Sequence, residues 1–274
     1  MEKQNQETSN DQKERESERI WSVLEDPTMR TVCLFLLVLF WVPESVATEL
    51  DSTVLADIIH RFRQVSGQQP SSTSGGGQFT FLMVLTPQQC TGANINQNVQ
   101  FRPSDSGRPV IGGGVNYFLN RRSVNYIAVY PNTGSRCSEN KLLHFTQEDQ
   151  RYGQTDSAAR LLQNSINNQG LQVGCVILYT TYTPCIQSCF SGNENCDILG
   201  PLGSAPFSTT WDNTNIHKYF VFSKLYPLDN NADKIPTVQG KLGQVTQARF
   251  HIRKCDGANN QIQCQDCSSP RYCI

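Results

Sequence analysis

Two short stretches of the sequence hold residue types that catalysis uses, at spacings that let them act together. The first is SRCSENKLL (135–143), where a turn leads into a helix whose first turn holds Cys137 and Glu139. The second is ILYTTYTPCIQSC (177–189), a strand running into Pro184 and a helix start that carries Cys185 and Cys189. Helix N-termini favour negative charge, so thiolates are stabilised there by the dipole and by unbonded N–H groups. Cys185 and Cys189 are four residues apart, so on a helix they share one face and can reach one metal ion. With Cys137 they form a three-thiolate set that leaves the fourth position of a tetrahedral Zn²⁺ open. Glu139, beside the metal but not bound to it, is placed to carry protons between water and a substrate. Cysteine pairs in exported proteins are mostly disulfides, and a first-turn glutamate is mostly unremarkable. Pro184, the apolar strand before it and the Cys-x-Glu one helix earlier tip the reading towards a metal.

The elements that must position these residues can be read from the hydrophobic pattern. Ser52–Val65 is an amphipathic helix, with Val54, Leu55, Ile58, Ile59, Phe62 and Val65 at helical spacing and Asp51 or Ser52 as cap. A Ser/Gly linker (71–77) follows, and then Phe79–Leu85, an apolar strand whose lack of alternation predicts burial on both faces. A polar loop rich in Asn, Gln and Gly is expected to run to about Asn116. Val124–Tyr130 is a second strand, followed by a helix from near Cys137 and another around Ser157–Ile166. The third strand is Leu171–Tyr182, a short helix is expected after Pro184, and Lys218–Tyr226 is the fourth strand. Val245–Ile252 fits strand and helix equally. This order gives an α/β domain with a mixed sheet.

Composition sets the class and the compartment. The chain has 274 residues, 38% of them hydrophobic, which excludes a disordered chain, a collagen and a multi-span membrane protein. A net charge of −1 excludes a large basic nucleic-acid glove. Val32–Val42 is the one strongly apolar run, and it is too short to cross a hydrocarbon core, which needs ~20 residues. Read from Met29, however, it is a signal peptide: Arg30, the apolar stretch, Pro43, then Ser45-Val46-Ala47 as a small-residue cleavage site. Residues 1–28 are then an upstream extension, 29–47 the signal peptide, and the mature protein is secreted with no stable membrane anchor. Residues 1–47 carry 5 Lys+Arg and 9 Asp+Glu, so the mature chain holds 18 against 15 and is mildly basic. Ten cysteines remain after Cys33 is removed with the signal, and in an oxidising compartment the default is five disulfides. Cys255, Cys264, Cys267 and Cys273 make residues 253–274 a disulfide-stapled tail. If three cysteines bind metal, seven are left and one must be free; mid-strand Cys175 is the expected buried thiol.

The layout of the two motifs resembles the zinc-dependent nucleobase deaminase superfamily, whose signature is His/Cys-x-Glu at one helix start and Pro-Cys-x2–4-Cys at the next. Here these are Cys137-Ser138-Glu139 and Pro184-Cys185-x3-Cys189. Tyr182-Thr183-Pro184-Cys185 is similar to the Ser-Trp-Ser-Pro-Cys stretch of the AID/APOBEC branch, and with the signal peptide the chain resembles the secreted AID/APOBEC-like cytidine deaminases. The resemblance covers roughly residues 51–252, the deaminase-like domain. It implies a cytidine-deaminase-like mixed five-stranded sheet flanked by helices, one Zn²⁺ on Cys137, Cys185 and Cys189, and Glu139 as proton carrier. It further implies cytosine-to-uracil conversion on single-stranded nucleic acid or free cytidine, Tyr182 against the base, and a role in immunity. Three features depart from the branch. Cys137 stands where the branch has His, as free-nucleoside deaminases do. The stretch from Glu139 to Pro184 is longer, which adds the helix near Ser157. The x3 spacing admits Cys196 as a competing ligand or disulfide partner.

Three thiolates leave the site with net negative charge, and Arg136 is the candidate to offset it. His60, His144, His217 and His251 show no metal-like spacing. Arg121-Arg122 and Arg249/Arg253/Lys254 are basic clusters that suit phosphates but read better as solvated faces. The competing function is a non-catalytic, disulfide-rich secreted binding protein.

Overall fold

Strand β1 (Thr80–Leu85) is buried at all six positions, as its unbroken apolar run predicts. The computed structural model describes residues 49–66, 79–92, 110–112, 115–119, 126–129, 137–147, 150, 155–192, 195–257, 261–267 and 273–274, all within the unit Ala47–Ile274. The upstream extension, the signal peptide, the 71–77 linker, Arg121-Arg122 and Arg136 lie outside the described residues. In chain order the elements are α1 (Ser52–Ser66), β1, α2 (Pro87–Cys90), β2 (Val110–Gly112), β3 (Val115–Leu119), β4 (Tyr126–Val129), α3 (Ser138–Leu143) and α4 (Ala158–Asn168). There follow β5 (Cys175–Tyr182), α5 (Leu199–Leu202), β6 (His217–Lys224), a 3₁₀ turn at Pro227–Asp229, α6 (Ile235–Gln247), β7 (Phe250–Asp256) and β8 (Gln263–Asp266).

The strands form one mixed sheet in the order β2-β3-β4-β1-β5-β6-β7-β8. β1 runs antiparallel to both β4 and β5, whereas β5, β6 and β7 are mutually parallel. The five strands expected are the contiguous centre, β4-β1-β5-β6-β7, and three more extend its edges. The β2–β3 hairpin begins inside the stretch expected to be loop up to Asn116 and runs past it to Leu119, because the polar and glycine content there hid the short VIG and VNYFL runs. β8 belongs to the stapled tail and pairs antiparallel with β7, Cys255 opposite Cys264.

The ambiguity at Val245–Ile252 has a physical answer: the segment is both. Helix α6 ends at Gln247, Arg249 takes the left-handed conformation at φ 61°, and β7 starts at Phe250. A side chain in that region costs ~1–2 kcal/mol, and here it turns the chain from helix to strand within two residues.

Strand alternation sorts the core into two layers. On one face Phe81, Met83, Ile177, Tyr179 and Tyr219 pack against Leu55, Ile58, Ile59 and Phe62 of α1. On the other, Leu82, Val84, Val176, Leu178, Phe220 and Phe222 meet Leu142 of α3, Leu162 and Ile166 of α4, and Val238, Leu242 and Val245 of α6. Among the described residues there are four disulfides: Cys90–Cys175, Cys137–Cys196, Cys255–Cys264 and Cys267–Cys273. The tail cysteines therefore pair among themselves, as expected. Cys175 is not a free thiol. It opens β5 opposite Leu85, and α2, following β1 directly, carries Cys90 back over it. Among the described residues no helix is long and apolar enough to cross a membrane.

Candidate metal and proton-transfer site

The candidate site lies where the parallel strands β5 and β6 end, the edge of an α/β sheet at which ligands typically bind. Hydrogen bonds hold the two strand ends together. Thr183 N donates to the Lys224 carbonyl at 2.8 Å, and Tyr226 N donates to Thr183 Oγ1 at 3.0 Å. One residue past Cys185, Ile186 N donates to the buried Asp229 Oδ2 at 2.9 Å. The loop after β6 therefore fixes the chain on both sides of Pro184-Cys185.

The helix expected after Pro184 is instead a run of turns over residues 186–192, closed by Gly192 at φ 73°. A single helical turn survives, with Cys189 N donating to the Cys185 carbonyl at 3.0 Å, and it keeps both thiols on one side. The short α3 delivers Cys137 at its N-cap and Glu139 in its first turn. Cys137, Cys185 and Cys189 offer sulfurs that all lie within 4.8 Å of one another. Cys185 and Cys189 Sγ are 3.2 Å apart, and Cys189 and Cys137 Sγ are 3.8 Å apart. Thiolates at ~2.3 Å from a tetrahedral Zn²⁺ sit about 3.8 Å from each other, so with Cys137 reduced the three sulfurs fit the ion in type and spacing, whereas its bond to Cys196 leaves two thiols.

The thiols do not share charge evenly. Cys185 is held down to about 5, chiefly by the hydrogen bond from Cys189 and then by Ser188, so it is the thiolate of the pair. Cys189 is pushed up because it donates to Cys185 and is buried. The nearby donors lower Cys185, which does not stand at a helix N-terminus.

Glu139 is wholly buried, and burial raises its carboxyl above the usual carboxylate range. Thr180 Oγ1 donates to its Oε1 at 2.8 Å, and Ser138 Oγ donates to its Oε2 at 3.1 Å. Ser138 is itself 2.7 Å from Thr80 Oγ1, and Thr80 faces Thr180 across β1 and β5. These three hydroxyl residues were missed in the sequence. The signal was the alternation of β5: Thr180 shares parity with Leu178 and Val176, whose face carries α3. Tyr226 was also missed. Burial raises its phenol, and the charges of Cys185 and Asp229 add to that, which marks it as a neighbour of the Cys185 sulfur.

Cys196 is brought to the same place, bonded to Cys137. Of the other residues considered, Tyr182 closes β5 half-buried and opposite Lys224. Arg249 pairs with Asp212, and Arg253 pairs with Glu49 and Asp266, so this cluster is largely neutralised. His217 and His251 meet across β6 and β7 at 3.3 Å, and His217 opens β6 opposite Cys175, at the end of that strand away from Cys185 and Cys189.

Sulfurs gathered beside a protonatable buried carboxyl, at the carboxyl ends of parallel strands, match the deaminase class that the motifs resemble. The sequence matches the family model for the Secreted Novel AID/APOBEC-like Deaminase 1 over residues 52–271. The chain belongs to this AID/APOBEC-like deaminase family. No curated protein matches it. The family name and the four disulfides both fit an extracellular protein.

Proposed function

We propose that the chain is a secreted, zinc-dependent deaminase that converts cytosine to uracil in single-stranded nucleic acid or in free cytidine. The observation that carries this reading is the convergence of Cys137, Cys185 and Cys189 within 4.8 Å, on the elements that bury Glu139. Zn²⁺, when bound, supplies a Lewis acid that makes water nucleophilic near neutral pH. Cys137, Cys185 and Cys189 would hold it. Glu139 takes a proton at its carboxylate as water adds at C4 of the base, and returns it to the amino group, which leaves as ammonia. Cytosine and water thus become uracil and ammonia. A carboxyl whose burial strengthens its hold on a proton suits that task, and the Thr180 and Ser138 hydroxyls keep it oriented. Tyr182, half-buried at the end of β5, would lie against the planar base, as the family resemblance implies. An extracellular role against foreign nucleic acid follows from the family resemblance.

One observation favours the second reading, a non-catalytic disulfide-rich binding protein: Cys137 is bonded to Cys196, which leaves two thiols. Purified secreted protein decides between them. Zinc is measured by elemental analysis, and cytosine-to-uracil conversion is measured on cytidine and on single-stranded oligonucleotides. One equivalent of zinc with conversion is expected. Protein without metal and without conversion under reducing conditions supports the binder.

A further inference from the structure

Four sulfurs meet at the site, and a tetrahedral centre with an open position uses three. Cys196 is placed there by the main chain and not only by its own bond. Cys137 N donates to the Asn195 carbonyl at 3.0 Å, Ile198 N donates to the Cys189 carbonyl at 3.1 Å, and Asn140 Nδ2 donates to the Asp197 carbonyl at 2.8 Å. The segment 195–198 is therefore stitched to the backbone of two of the three candidate ligands and to α3. Cys196 stays within reach of Cys137 in either redox state, and it is buried at 7% exposure.

We propose that the metal and the Cys137–Cys196 disulfide are mutually exclusive occupants of Cys137, so that Cys196 is a built-in redox release for the centre. This rests on the zinc reading above. A disulfide sulfur carries no charge and is a poor zinc ligand, so closing the bond removes one of three donors and leaves only Cys185 and Cys189. The oxidant is a small-molecule disulfide, RSSR, of the glutathione type. The Cys137 thiolate attacks it, forming a Cys137–SR bond and releasing RS⁻. The Cys196 thiolate then displaces the second RS⁻ and forms the Cys137–Cys196 bond. The two protein sulfurs lose two electrons to RSSR, which leaves as two RS⁻ that take up the Cys196 proton and one from water to become two RSH, and Zn²⁺ departs. A thiol reductant reverses the exchange and restores the donor. The consequence for a secreted enzyme is a centre that stays loaded in a reducing setting and is disarmed in a sufficiently oxidising one.

The test uses the full-length secreted protein, reduced and loaded with Zn²⁺, then exposed to oxidised glutathione. Bound zinc is followed by elemental analysis, and bonds are mapped by differential alkylation and peptide mass spectrometry. Wild type should lose its one zinc in step with the appearance of the Cys137–Cys196 peptide. Cys196→Ser should keep zinc and lose it at least about tenfold more slowly. Wild-type mapping alone reads the proposal if the variant folds poorly. Zinc retained while Cys137–Cys196 is closed, zinc loss with a Cys185–Cys189 disulfide instead, or equal loss from Cys196→Ser would each overturn the inference and leave the zinc reading standing. Reduced wild type that binds no zinc would overturn both.

Discussion

The two ends of β5 carry cysteines with opposite uses. At its first residue, Cys175 is fully buried and tied to Cys90, and the next position, Val176, stands opposite Lys218, which pairs with Asp212. Past its last residue, Cys185 and Cys189 keep their thiols, and Cys185 is held as a thiolate by its neighbours. Residue type alone does not separate these cases. The difference lies in the chain around each one: Cys175 meets a single sulfur delivered by a short helix, whereas Cys185 meets several sulfurs and a carboxyl that is already satisfied by hydroxyls.

If one end is chemical and the other structural, damage at each should be separable. The largest effect is expected at Glu139. Glu139→Gln should cost ~10²–10⁴-fold in cytosine-to-uracil conversion with zinc content unchanged, because the amide cannot take the proton. Cys185→Ser should lower zinc and activity together. Equal activity in Glu139→Gln would refute its role. At the other end, Cys90→Ser with Cys175→Ser should cost about 2–4 kcal/mol in denaturant unfolding while zinc per folded molecule holds. Loss of zinc there would mean that the two ends are not independent.

Asp212→Asn should cost ~1–3 kcal/mol, since the Lys218 ammonium, 3% exposed, would keep only weaker partners. The hydrogen bond from Lys218 holds the Asp212 carboxyl below its usual value of 3.8. Its stabilisation is therefore complete above that value and is lost as pH falls through the lower folded one, so the variant should show a shallower acid-unfolding curve. The smallest effect is on thiol reactivity. In reduced, metal-free protein Cys185 should alkylate roughly tenfold faster at pH 7 than Cys189, and slow only as pH falls through about 5. Equal rates would show that the pair shares its proton evenly.

The central strands were legible because each is an apolar run long enough to be buried on both faces, and α1 because its stripe is regular. The Cys-x-Glu and Pro-Cys pairs were legible because their spacing is local. The β2–β3 hairpin was not, since its strands are as short as three residues and hold their place by pairing with β4 and each other rather than by a run of their own. The helix after Pro184 failed because Asp229, 43 residues beyond Ile186, takes the N–H that opens the turns. The partner of Cys175 was invisible for the same reason: it depends on which strand lies beside β5, not on any local pattern.

The position of β1 also governs the order of assembly. It sits between partners that arrive late: Thr80 pairs with Val129 on one side and with Thr180 on the other. The centre of the sheet cannot close until β5 has been synthesised, and such long-range pairing slows folding. Cys90 and Cys175 are separated by 85 positions, which is roughly 4–17 s of synthesis at ~5–20 residues per second. Throughout that interval Cys90 is without its native partner, and the first new cysteine to reach it is Cys137. Correct maturation therefore demands isomerisation of any Cys90–Cys137 pair before the sheet seals, and a cell that supplies disulfide isomerase should yield more native protein than one that only oxidises.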